Sequence, residues 1–171
     1  MDKYVELARN TIDEYVMNNR VYVPSMEELT DEMMTARAGA FVSLHEHGEL
    51  RGCIGTIEPI RDTLTEEIVY NAISAATRDP RFPEITPDEL DDLVINVDIL
   101  TEPEKISSPE ELDVKRYGVI VQKGWKRGLL LPDLEGVDTV DYQIAIAKRK
   151  AGIAQNEPGV EMYRFEVIRH E

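Results

Sequence analysis

The chain has 171 residues, of which 42% are apolar, so it is long enough to bury a core and short enough for one domain. Its formal net charge is −15, from 34 acidic and 19 basic residues. This excess disfavours nucleic acid as a general partner, since a phosphate-binding surface needs clustered lysine and arginine. Only a local basic patch of Lys123, Lys126 and Arg127 leaves RNA binding open as an alternative.

The single cysteine, Cys53, excludes an internal disulfide and argues against a secreted, disulfide-stapled scaffold. The first residues, Met1-Asp2-Lys3-Tyr4, lack the charged-then-apolar layout of a signal peptide. No apolar stretch approaches the roughly 20 residues that cross a bilayer. These features predict a cytoplasmic protein without a membrane partner.

The first half of the chain predicts a helix, a hairpin and a second helix. Apolar residues at steps of three and four predict a helix over 4–16, with Asp2 as its cap. The extended runs 40–44 and 50–57 predict a β-hairpin with its turn at 47–48. A capping box at Thr63 begins a helix that should end near Arg78, before a proline.

The second half mixes short helices with strands. Two starts with a cap, a proline and a glutamate three residues on predict short helices at 86–89 and 108–111. The remaining predicted elements are a strand over 93–100, a hairpin of 118–123 and 128–131 with Trp125 at its tip, a helix over 141–150 and a last strand over 162–169. This irregular order predicts an α+β fold with a largely antiparallel sheet and flanking helices. We expect one compact domain over residues 1–171, with two closely packed lobes as the alternative.

The strand around Cys53 is the best candidate site. Arg51 and Cys53 share one face of a regular strand, about 6.6 Å apart, and a guanidinium held there would favour the thiolate, which is the nucleophile. Gly52 and Gly55 weaken a strand, which indicates close approach of another backbone, a bulge or a ligand. The candidate catalytic residues are therefore Cys53 and Arg51. The alternative is a buried, inert cysteine beside an arginine that pairs with a surface carboxylate.

A cysteine–histidine dyad is a sharper hypothesis, with His45 and His47 as candidates because His170 lies at the C-terminus. The predicted turn sets Val42 opposite Cys53 and points His45 to the other face, which argues against the dyad. A metal set of the two histidines with Cys53 lacks a characteristic spacing, so we predict no metal site.

Residues 50–55, with the order Leu-Arg-Gly-Cys-Ile-Gly, resemble the hallmark of the AMMECR family. Further matches in the same order are Gly39 to Leu44, Asp79-Pro80-Arg81-Phe82-Pro83, Gly128 to Pro132 and Lys150-Ala151-Gly152. The chain departs from the family pattern at Asp133, where glutamine is common, and at 148–149, where a cysteine is common. The resemblance implies a compact α+β fold and raises the importance of Cys53, but it names no reaction and no cofactor.

The loop after the second helix is open to two interpretations: Asp79 and Arg81 either stabilise the loop or line one cleft with Cys53. We include both among the candidate binding residues, which are Gly52, Ile54, Gly55, Asp79 and Arg81. The main hypothesis is a cysteine-dependent enzyme or small-molecule handler with its site around Arg51-Gly52-Cys53. The alternative is a non-catalytic protein-binding module, or adaptor, in which the motif is structural. The sequence leaves open whether the chain is an enzyme, and whether its partner is a small molecule or a protein.

Overall fold

The computed structural model describes residues 1–171 and divides them into two compact units. Unit 1 contains residues 1–100 and 168–171, and unit 2 contains residues 101–167. The helices occur together with two four-stranded sheets whose described pairings are antiparallel, so the predicted α+β class is confirmed. The extent of the domain, residues 1–171, stays a prediction. None of the helices combines the length and apolar character that a membrane crossing requires.

Helices and strands alternate irregularly along the chain. The helices are α1 (Lys3–Asn18), α2 (Asp31–Thr35), α3 (Leu64–Thr77) and α4 (Val140–Ala151), with short 3-10 helices at Met26–Glu28, Pro87–Asp92 and Pro109–Glu111. The strands are β1 (Ala40–Glu46), β2 (Glu49–Gly55), β3 (Leu93–Leu100), β4 (Glu104–Ile106), β5 (Gly118–Lys123), β6 (Lys126–Leu130), β7 (Glu161–Phe165) and β8 (Val167–His170). The predicted helices, both short proline-started helices and the strand over 93–100 are confirmed. Helix α2 and strand β4 were not predicted.

Unit 1 packs α1 and α3 against a sheet with the strand order β2-β1-β3-β8. Strand β1 alternates buried with half-buried residues, so Val42 and Leu44 enter the core while Ser43 faces the other way. Helix α1 begins as predicted, because the Asp2 carboxylate accepts hydrogen bonds from the first free backbone amides. Helix α3 begins at its predicted cap, Thr63, whose hydroxyl accepts from the Glu66 amide at 3.2 Å.

The β1–β2 hairpin has the predicted two-residue turn but a different register from the predicted one. His47 and Gly48 both have positive φ, 52° and 81°, as a type I′ turn requires. The predicted pairing is correct next to the turn and wrong beyond it, because the register shifts by one residue between Leu44 and His45. Ser43, not Val42, therefore lies opposite Cys53. An irregularity of this kind adds one residue to one strand and changes which side chains meet.

Unit 2 packs α4 against a sheet with the strand order β4-β7-β5-β6. The predicted hairpin is confirmed as β5 and β6, with Lys123 paired to Lys126 across the turn. Trp125 lies at the hairpin tip as predicted, with 89% of its surface exposed. Helix α4 ends at Gly152, which adopts the left-handed conformation with φ 73°.

The predicted strand over 162–169 is wrong, since this segment forms two strands in different sheets. Strand β7 belongs to the sheet of β4 and β5, whereas β8 is next to β3. The interruption falls at Glu166, whose amide donates to the Thr101 hydroxyl at 2.7 Å and whose carbonyl accepts from the Thr101 amide at 2.9 Å. No glycine or proline marks this interruption, so the alternating apolar pattern reads as one strand.

Candidate functional site

Cys53 lies on β2, which is one of the two edge strands of the unit 1 sheet. Its amide points away from β1 and donates to Asp79 Oδ2 at 3.0 Å. Cys53 and Ser43 are therefore a pair without mutual backbone hydrogen bonds, which is the arrangement that brings opposite side chains closest. The Ser43 hydroxyl lies 3.2 Å from the Cys53 sulfur, within hydrogen-bonding distance. The thiol is half-buried and lies on the sheet face opposite to Val42 and Leu44.

Asp79 follows α3 and has 3% of its side chain exposed. Its carboxylate accepts the Cys53 amide, the Arg81 amide at 3.1 Å and the Arg81 guanidinium at 2.8 and 3.0 Å. The hydrogen bonds from the guanidinium hold the pKa of the Asp79 carboxyl well below its usual range, and the two amides add to this effect against the opposing effect of burial. Asp79 therefore joins the edge of β2 to the loop that carries Arg81.

Arg81 is a cation that Asp79 links to the backbone of Cys53. Hydrogen bonds to Asp79 raise the pKa of the Arg81 guanidinium, and electrostatic attraction to Cys53 contributes in the same direction. More than half of the Arg81 side chain, 56%, is exposed, so Asp79 does not enclose it. A positive group that is anchored on one side and open on the other can receive an anionic group from solution.

Arg51 points its guanidinium at a different set of partners. It donates to both carboxylate oxygens of Glu89 at 3.1 Å, to the Pro83 carbonyl at 2.8 Å and to the Glu84 carbonyl at 3.2 Å. Only 14% of its side chain is exposed. Burial alone would raise the pKa of Glu89, but hydrogen bonds from Thr86 and Arg51 hold it below the ordinary value. The contacts of Arg51 thus fix the segment 83–89 along the strand edge.

The other motif residues have packing neighbours. A Cβ atom on Gly52 would lie 2.3 Å from the Ala75 carbonyl oxygen, so α3 approaches the strand too closely for any side chain. A Cβ on Gly55 would lie 2.3 Å from the ring of Phe41, its partner across the hairpin. Ile54 packs against the hydrophobic core of unit 1. Of the alternatives that the glycines left open, close approach of another backbone applies to Gly52, and the register shift that skips Arg51 lies next to it.

The histidines are not where the predicted register puts them. Because Ser43 is opposite Cys53, alternation along β1 places His45 on the same face as the cysteine, and the prediction that it points to the other face is wrong. The hydrogen-bonding partner of the sulfur is nevertheless Ser43. His47 lies in the turn, near the carboxylates of Glu46 and Asp92. His170 stacks on Tyr4, with the ring centroids 3.8 Å apart.

The structure thus brings Cys53, Asp79 and Arg81 together and adds Ser43, which the sequence did not indicate. Ser43 comes beside the cysteine only because of the register shift. The extra residue at the shift is Arg51, directly before Gly52, so the glycine was compatible with a bulge but did not determine the register. The cluster of Ser43, Cys53, Asp79 and Arg81 is called the thiol site below.

The fold and the thiol site define an α+β protein with a half-buried cysteine on an edge strand beside an anchored arginine. The AMMECR1 family model matches residues 5–170, and the chain belongs to the AMMECR1 family. A protein of Thermotoga maritima is 56% identical over 169 residues, which cover 98% of this chain and 97% of that protein. A protein of Clostridium acetobutylicum is 48% identical over 170 residues, which cover 99% of this chain but 36% of that protein.

A solved structure supports the same relationship. The crystal structure of an uncharacterized protein from Pyrococcus horikoshii, PH0010, matches with a TM-score of 0.85 and 34% identity, covering 97% of this chain and 88% of that one. These comparisons show the family and the fold, whereas the reaction has to be argued from the residues of the thiol site.

Proposed function

We propose that this protein is a cysteine-dependent enzyme or small-molecule handler in which Cys53 is the reactive group. The observation that carries the proposal is the half-buried thiol beside the Ser43 hydroxyl, in a residue whose amide donates to the Asp79 carboxylate of the Asp79–Arg81 ion pair. The cytoplasmic location stays a prediction that rests on the lone cysteine and on the absence of signal-peptide and membrane-spanning patterns in the sequence.

The chemistry that this arrangement supports is attack by a sulfur nucleophile. The thiol loses its proton to solvent, the thiolate forms a bond to an electrophilic carbon, and the leaving group departs with the electron pair of the broken bond. Arg81, which Asp79 holds next to the strand of Cys53, is suited to pair with the negative charge that develops during this reaction. Its exposed side also suits it to bind an anionic group of the substrate. Arg51 then acts by positioning the loop 83–89 rather than by contact with the sulfur.

A protein-binding module or adaptor is the second candidate function, and the packing of the motif favours it. Gly52 leaves room for the α3 backbone, and Gly55 leaves room for the Phe41 ring. The Cys53 amide donates a hydrogen bond to Asp79. Under this candidate the cysteine contributes to packing, and its thiol need not react in the folded protein.

Alkylation of the folded protein by iodoacetamide separates the two candidates, because Cys53 is the only cysteine. We expect the native chain to be modified. The rate of modification is measured by intact mass over a range of pH. In Arg81→Gln the rate of alkylation should fall about fivefold, the equivalent of roughly 1 kcal/mol between two nearby charges in a solvent-like dielectric.

Arg20→Gln is the control for the change in net charge, since Arg20 is an exposed residue that pairs with Glu14. It should react like the unmodified sequence. A thiol that reacts only after unfolding by denaturant would contradict the enzyme proposal and favour the binding module.

A further inference from the structure

A second group of reactive side chains lies at the tip of the β1–β2 hairpin, outside the thiol site. His47 Nε2 lies 3.7 Å from Glu46 Oε1 and 3.9 Å from Asp92 Oδ2. One ligand atom from each of these residues lies within 4.8 Å of the other two. The three residues are called the hairpin triad below.

The backbone brings the hairpin triad together from two segments that are far apart in sequence. Glu46 pairs with Leu93 at the start of β3, and Asp92 immediately precedes Leu93. His47 follows Glu46 in the left-handed conformation, with φ 52°, in which histidine is enriched together with asparagine and aspartate among non-glycine residues. The strand pairing and the turn therefore fix both backbone segments.

The charge of Glu46 is incompletely compensated within the protein. Its Oε2 atom is shielded from solvent and has no hydrogen-bond partner. Arg51 Nε lies 4.0 Å from this oxygen but donates to Glu89 at 3.1 Å. Glu46 is also directly opposite Glu49 across the hairpin, and like charges in that position repel. A cation bound at the hairpin triad would relieve both effects.

We propose that the hairpin triad is a binding site for a divalent first-row transition metal. An imidazole with two carboxylates suits zinc and its neighbours, whereas calcium and magnesium prefer oxygen ligands throughout. Ligand atoms about 2.0–2.2 Å from a tetrahedral zinc ion lie about 3.4 Å apart, so the observed distances need only a small adjustment.

The residues that would have to move are free to do so. The side chains of His47 and Asp92 are 73% and 52% exposed. Three protein ligands leave a fourth position open to water or to a ligand. The metal site uses none of the residues of the thiol site, so a test of metal binding does not depend on whether the proposed function is correct.

The test is calorimetric titration of the full chain with Zn²⁺, using variants matched in charge and shape. Removing a ligand should weaken binding at least about tenfold, since loss of even a supporting partner of a ligand costs that much. We therefore expect saturable binding of one ion per chain, weakened at least tenfold in His47→Asn and in Asp92→Asn. His47→Asn should keep the hairpin, because Asn-Gly is the preferred pair for this turn.

Three controls should bind as the unmodified sequence does. Asp91→Asn removes the same charge one residue away, His45→Asn removes another histidine of the hairpin, and Cys53→Ser removes the only thiol. Circular dichroism checks that each variant is folded. Absence of saturable binding would overturn the proposal, as would binding retained in both His47→Asn and Asp92→Asn. Binding lost in Cys53→Ser would also overturn it, because the site would then lie at the cysteine.

Discussion

Replacing Gly52 by alanine should destabilise the protein by about 3 kcal/mol or more, at the upper end of the cost of overpacking. The new Cβ would lie 2.3 Å from the Ala75 carbonyl oxygen and 3.4 Å from its carbon. The obstacle is the backbone of α3, which cannot rotate away as a side chain could. The strand or the helix would have to shift, and both belong to the unit 1 core.

Denaturant unfolding of Gly52→Ala measures this cost, and Cys53→Ala is the control in the same strand. The control removes a half-buried thiol without adding atoms, so its cost should be nearer to about 1 kcal/mol. Gly128→Ala tests the same geometry in unit 2, since its Cβ would lie 2.2 Å from the Ala147 carbonyl oxygen. If Gly52→Ala unfolds within about 1 kcal/mol of the unmodified sequence, the helix is not as close to the strand as described.

Replacing Asp79 by asparagine should cost about 2–3 kcal/mol near neutral pH, since it removes a buried charge from its hydrogen-bonded partners. The carboxylate accepts hydrogen bonds from the Cys53 amide and from the Arg81 amide and guanidinium. An asparagine has one acceptor oxygen and no charge, so it cannot accept from the Cys53 amide and also pair with the Arg81 guanidinium through a second oxygen.

The pH dependence of this loss has a definite sign. The pKa of the Asp79 carboxyl is lower in the folded state than in the unfolded state, so the carboxylate stabilises the fold above the unfolded value and loses this effect as pH falls below about 4. The difference in unfolding free energy between Asp79→Asn and the unmodified sequence should therefore shrink from pH 7 to pH 3. A difference that stays constant over this range would contradict the assignment. Asp62→Asn, at an exposed carboxylate, is the control.

Most helices and strands were predictable because their signals are local. Each signal lies within a few residues of the element that it predicts. Examples are the helix caps Asp2 and Thr63, the prolines that begin the short helices, and the apolar alternation over 93–100. The turn at His47-Gly48 was likewise predictable, because Gly48 has no Cβ to oppose a positive φ. By contrast, the interruption at Glu166 depends on Thr101, which lies 65 residues away in the sequence.

The thiol site was predictable only in part for the same reason. Sequence spacing made Arg51 the cation nearest the cysteine, but its guanidinium bonds Glu89, 38 residues away. Asp79 reaches the Cys53 amide across 26 residues, and no local pattern specifies that contact. The pairing of Ser43 with Cys53 depends on a one-residue register shift. Tertiary contacts, rather than local propensity, decide which groups surround the thiol.

The most direct test of a thiol paired with an anion-binding arginine compares two alkylating reagents that differ in charge. Iodoacetate and iodoacetamide modify the sulfur by the same displacement of iodide, so the ratio of their rates reports the electrostatic potential at Cys53. We expect the ratio of the iodoacetate rate to the iodoacetamide rate to fall about threefold to fivefold in Arg81→Gln and to stay unchanged in Arg20→Gln. The same ratio in all three proteins would contradict the assignment of Arg81 as the anion-binding group of the thiol site.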